Sequence, residues 1–199
     1  YNNVWEILNR CIKESEIGKA AQVTAIALTN QRETVVVWDK KTGEPVYHAI
    51  VWQCNRAKNI CERLRKENAE EYIQKTSGLR LSEYFSAAKA AWILENAEIE
   101  EGTRSRLKIG TVDSWLIWNL TGKKRHVTDY SNASRMQLLN LDTLRWDEEL
   151  LRMFGLEASM MPELICSNEC AGYTCIDGVE IPLIGMLGDS HAALFAQVA

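Results

Sequence analysis

Apolar and polar positions follow one another in blocks of changing period along this chain, and the blocks divide it into helices and strands. Val4, Trp5, Ile7, Leu8, Cys11 and Ile12 recur at helical spacing, which predicts a helix over residues 5–16 that stops near Gly18. Residues 22–29 form a β-rich run with polar flanks and predict a buried strand. Val35 to Asp39, a loop containing Gly43, and the run from Pro45 to Val51 predict a hairpin. Residues 55–70 alternate in charge, as expected of one helix with a solvated face. Further helices are predicted over 86–94, with Ser86 as N-cap, and over 113–120, with Asp113 as cap and Gly122 as stop. Trp92, Trp115 and Trp118 on these helices read as core. A short helix after Trp146-Asp147 closes at Gly155, and residues 181–188 form an apolar strand leading into an apolar helix over 190–199. Strands alternating with helices, plus a hairpin, define an α/β fold.

Candidate chemistry sits at the ends of these blocks. Arg32 and Glu33 follow the first strand, so five guanidinium donors lie beside a carboxylate acceptor. Trp52 adds a flat apolar wall with one donor. Such a set suits a small polyol, whose hydroxyls donate and accept while its carbons need an apolar face. Asp189 comes after flexible Gly188 at a strand end and could project into a cleft; it would serve equally as an N-cap of the last helix. Arg32–Glu33 alone would also read as a surface ion pair, and Trp52 and Tyr84 as ordinary packing. Asp129 to Arg135 reads as a polar structured turn near the cleft. His126, beside Lys123, Lys124 and Arg125, reads as an exposed histidine.

Linked segments raise the specificity of these readings. Thr29-Asn30-Gln31-Arg32-Glu33-Thr34, then Ala49-Ile50-Val51-Trp52-Gln53, then Tyr84-Phe85-Ser86 and Gly188-Asp189 stand in an order that resembles the glycerol kinases of the FGGY family of carbohydrate kinases. The likeness runs from Trp5 to Gln197. It implies a ribonuclease-H-like domain of the actin and hexokinase type, incomplete at both ends. Residues 1–187 would belong to the family's N-terminal domain without its first phosphate-binding hairpin, and 188–199 would begin the connection to a C-terminal nucleotide-binding domain. The resemblance further implies ATP and Mg2+ as cofactors held mainly elsewhere, glycerol as substrate, and a homo-oligomer. Asp189 would be the general base. Arg32, Glu33, Tyr84, Asp189 and Ser190 would meet the hydroxyls, and Trp52 the carbons. Where the family has two glutamines after Gly-Asp, this chain has Ser190 and His191, the latter resembling pentulose kinases.

Composition narrows the partners. The 199 residues are 46% hydrophobic, enough for a substantial core. With 23 basic and 27 acidic residues the net charge is −4, and no basic stripe interleaves with aromatics, which argues against nucleic acid. No apolar run approaches the roughly 20 residues that span a bilayer. The six cysteines are spaced unlike zinc knuckles, so reduced thiols, no metal and a cytoplasmic setting are expected. The apolar C-terminal helix is expected to need partners beyond Ala199.

Overall fold

The computed structural model describes residues 1–14 and 19–198. In chain order these form α1 (Asn2–Glu14), β1 (Ile26–Asn30), β2 (Val35–Asp39), α2 (Lys58–Lys66), α3 (Glu70–Ser77), α4 (Ser86–Asn96), β3 (Leu107–Thr111), α5 (Val112–Leu120), β4 (Val127–Asp129), α6 (Tyr130–Ala133), β5 (Leu139–Asn140), β6 (Arg145–Trp146), α7 (Glu148–Met153), β7 (Glu163–Ile165), β8 (Cys170–Ile176), β9 (Val179–Gly188) and α8 (Asp189–Val198). The predicted stop of the first helix, at Glu16 to Gly18, and the final residue, Ala199, lie outside the described residues.

Four small sheets carry the strands. β9 lies in the middle of the first, parallel to β1 and antiparallel to β8. β2 pairs antiparallel with β3, β4 parallel with β7, and β5 with β6 in a hairpin. Two apolar cores flank α5. On one side Leu116, Ile117 and Leu120 pack with Val127, Leu183 and Met186. On the other Trp118 and the half-buried Trp115 pack on Val36 and Trp38 of β2. A helix apolar on nearly every face is what a position between two sheets requires. The larger core gathers α2, α3, α4 and α7 against β2 and β3, with Ile60, Leu64, Ile73, Ile93, Ile109 and Phe154 sealed.

Several sequence expectations are corrected. The hairpin after β2 returns only through isolated bridges, Trp38 to Pro45 and Val35 to Ile50, while the continuous ladder of β2 is taken by β3. Proline has no N–H to extend the returning strand. The helix predicted over 55–70 is shorter, Lys58–Lys66, because Asn68 adopts φ 57° after it, and a further helix starts at Glu70. β1 alternates between half-buried and exposed positions instead of being buried throughout, as befits a strand at one edge of its sheet.

Two of the predicted caps do other work. Ser86 is the first residue of α4, and its hydroxyl donates to the Glu33 carbonyl at 3.3 Å. Asp113 lies one position past the start of α5, fully buried, and accepts from the Thr111 and Thr128 hydroxyls. Burial raises its pKa to about 6 despite those donors. His126 is also not exposed. Its Nε2 lies 2.9 Å from the Ile109 carbonyl and its ring edge meets Trp38 at 5.0 Å, so burial lowers its pKa to about 3. Its charged neighbours in sequence face outward while the ring turns inward. By contrast α7 closes at Gly155 as expected, with φ 67° there, and Asp147 caps its start, accepting from Leu150 N at 2.9 Å.

Candidate functional site

β1 and β9 run in parallel and end together, with Asn30 in register with Gly188. The residues that follow the two strands are therefore neighbours in space although 157 positions separate Arg32 from Asp189. Arg32 spreads its fork over the start of α8. Nε lies 3.4 Å from Asp189 Oδ1, Nη2 donates to Ser190 Oγ at 3.2 Å, and Nη1 lies 3.2 Å from His191 Nδ1. Arginine only donates, so Nδ1 is the acceptor. Gly188 makes this approach possible: a Cβ there would collide with Cγ and Cδ of Arg32. A glycine at this position gives the arginine stem room to lie flat over the strand end.

Glu33 turns the opposite way. Its side chain is 5% exposed and accepts from Arg135 Nε at 2.7 Å. Arg135 in turn stacks its guanidinium over Phe85 at 4.9 Å and over Tyr84 at 6.0 Å. Tyr84 meets Trp52 edge to face, ring centroids 5.8 Å apart. So Trp52, Tyr84, Arg135 and Glu33 form one continuous group, and Arg32, Asp189, Ser190 and His191 form another. The backbone between Arg32 and Glu33 joins them. Both groups reach solvent, the first at Trp52, 38% exposed, and the second at the Asp189 side chain, 55% exposed.

Lys89, in the middle of α4, is sealed beneath the first group. Its Nζ donates to the carbonyls of Glu83 (3.2 Å) and Tyr84. Burial lowers its pKa to about 8, against the opposing pull of Glu33. Lys89 is a buried charge among alanines, at Ala87, Ala88, Ala90 and Ala91, on a helix packed close to its neighbours. It holds the turn that presents Tyr84.

Sequence reasoning missed Lys89, and it placed Arg135 in a polar turn near the cleft without a role. Arg135 closes a pair with Glu33 across 102 residues, which no local pattern reports. The signal for Lys89 was a single charge inside an otherwise apolar helical run. A separate apolar groove of about 490 Å³ runs along β1, β9 and α8, lined by residues including Leu28, Ile184, Met186 and Phe195, and its lining contains none of the candidate site residues.

The site thus offers an exposed carboxylate at a strand end, held by a guanidinium, and, through the neighbouring Glu33, a second acid backed by aromatic rings. Comparison with known proteins gives the class. Residues 1–196 match the N-terminal domain of the FGGY family of carbohydrate kinases, and the chain belongs to that family. It is 54% identical over 181 residues to the glycerol kinase of Pseudothermotoga lettingae, covering 89% of this chain and 36% of that protein. It is 48% identical over 196 residues to glycerol kinase 2 of Thermotoga maritima, covering 96% and 39%. Among solved structures, Plasmodium falciparum glycerol kinase with ADP superposes with a TM-score of 0.90 at 33% identity, over 98% of this chain and 40% of that one. Xylulose kinase from Lactobacillus acidophilus, at 22% identity and TM-score 0.82, shares the fold. The fold is the actin- and hexokinase-like ATPase type that the resemblance implied. The chain spans well under half the length of these relatives.

Proposed function

We propose that the protein to which this chain belongs transfers the γ-phosphoryl group of ATP to a terminal hydroxyl of glycerol, giving sn-glycerol 3-phosphate. The observation that carries this reading is the convergence of Arg32 on Asp189 and Ser190 at one end of the corner that Glu33, Tyr84 and Trp52 complete. Identity of about half to proteins named glycerol kinase supports the choice of polyol.

In this reading Glu33 and Arg32 hold two hydroxyls, Ser190 and Tyr84 donate to oxygens, and the carbons lie against Trp52. Asp189 accepts the proton of the third hydroxyl. That oxygen then bonds to the γ-phosphorus as the bond from phosphorus to the bridging oxygen breaks, and ADP leaves with the electron pair. The general-base step is of the kind worth about 10²–10⁴-fold in rate. A divalent ion such as Mg2+ keeps several waters and takes one or two carboxylates together with substrate phosphates, and both carboxylates of this corner, Glu33 and Asp189, are already paired with guanidinium groups. Nucleotide and metal are assigned mainly to the part of the protein beyond residues 1–199. Residues 188–199 would begin the connection to that part. The purified segment 1–199 is expected to bind glycerol weakly and to transfer no phosphate.

The deciding experiment is turnover of glycerol and a panel of pentuloses and other polyols by the full-length enzyme and its Asp189→Asn variant. Glycerol should be the preferred substrate, and the variant should keep glycerol binding while losing turnover. Unchanged turnover in the variant removes Asp189 as base, and a preferred pentulose removes glycerol as substrate.

A further inference from the structure

The turn from Asp129 to Arg135 touches both groups of the corner. Asp129 is fully buried and caps α6. Its Oδ1 accepts from Asn132 N (3.0 Å) and Asn132 Nδ2 (2.8 Å), and its Oδ2 from Ser131 N (3.2 Å) and Ser167 Oγ (2.6 Å). A carboxylate with donors on both oxygens locks the turn in one conformation.

Three side chains leave this locked turn for three different places. Asn132 Oδ1 accepts from Asn30 Nδ2 at 3.0 Å, at the end of β1. Ser131 Oγ accepts from the Gly188 N–H at 2.8 Å, one residue before Asp189. Arg135 Nε donates to Glu33 Oε1 at 2.7 Å. The ends of the two parallel strands and the buried acid are thus all referred to one rigid object. Gly188 itself lacks a side chain, and its amide is the handle by which Ser131 fixes the approach to Asp189.

We propose that the Asp129–Arg135 turn sets the spacing of the site, with Ser131 a positioning residue for Asp189 and Arg135 a positioning residue for Glu33. The proposal rests on Asp189 acting as base and Glu33 as polyol ligand. Neither Ser131 nor Arg135 touches the reacting atoms. Ser131 fixes the backbone from which the base projects, and Arg135 fixes the direction of the carboxylate that binds a hydroxyl. Displacement of a reacting group by about 1 Å costs roughly 10²-fold in rate, so small shifts at Gly188 should be visible in turnover.

The test is steady-state kinetics on the full-length enzyme with Ser131→Ala, Ser131→Thr and Arg135→Met, and Asp189→Asn as reference. Ser131→Ala should lower kcat about 10- to 100-fold with KM for glycerol within about twofold, and Ser131→Thr, which keeps the hydroxyl, should restore kcat. Arg135→Met should mainly raise KM, about tenfold or more. If Ser131→Ala keeps kcat within about twofold while Asp189→Asn is dead, the spacing role is wrong and the base assignment stands. If Asp189→Asn turns over normally, the underlying reading falls and this inference with it. Should Ser131→Ala fail to fold, Ser131→Cys keeps the volume with a weaker acceptor. An intermediate kcat there supports the proposal and a parental kcat overturns it.

Discussion

The two groups of the corner are built in opposite ways. Glu33, Tyr84 and Arg135 rest on the larger core: Glu33 is nearly sealed, Ser86 holds its backbone and Lys89 holds the turn behind Tyr84. Asp189, Ser190 and His191 stand on the first turn of α8, none of whose described residues is buried, and are tied down chiefly by Arg32 and the Gly188 amide. The first group is fixed by packing, whereas the second is fixed by a few polar contacts and remains accessible. In the proposed function, rigidity lies where the polyol would be held and access where phosphate would arrive.

The largest effect should separate the sides most cleanly. Asp189→Asn is expected to cut kcat by about 10²–10⁴-fold while shifting unfolding free energy by no more than about 0.5 kcal/mol. Glu33→Ala should do the reverse in stability, costing roughly 3 kcal/mol because it strips a partly buried arginine of its partner. Denaturant melts of the two variants decide the matter; equal losses would erase the contrast.

A second effect tests how deeply the binding side is buried. Lys89 has its pKa lowered from 10.5 to about 8. Between those values the unfolded chain still binds a proton that the folded one has released, so stability at this position rises with pH across that window and is flat below it. Relative to Lys89→Met, the parent should gain about 3 kcal/mol between pH 8 and pH 10.5. Parallel stability curves for the two proteins would show that Lys89 is solvated. The smallest effect concerns the exposed side. Gly188→Ala forces the Arg32 stem off the strand end and should cost about 1–3 kcal/mol, with glycerol affinity falling alongside. Unaltered affinity would mean that Arg32 does not need its present path.

Much of the framework is legible in the sequence because it is local. The apolar run before Gly188, the stop of α7 and the apolar pattern of α5 each follow from neighbours a few residues apart. Errors arose where a polar side chain had two possible partners, one near and one far. Ser86 and Asp113 sit at helix starts and resemble caps, yet their partners are Glu33 and Thr128, 53 and 15 residues away. His126 misled for a similar reason: its charged neighbours hide a ring that packs on Trp38. Of the corner, the sequence displayed the residues that end strands and marked 129–135 as a polar turn near the cleft, but not the roles of Ser131 or Arg135, whose contacts exist only once β1, β4 and β9 are aligned.

The indoles of Trp38, Trp115 and Trp118 crowd together with the His126 imidazole on the face of β2 away from the larger core. Chromophores this close couple electronically, so near-ultraviolet dichroism and emission from this protein will be dominated by that layer. An optical melt will then register when β2 parts from α5 and stay blind to local loosening around Asp189. Labels placed on the first turn of α8 would supply the missing channel.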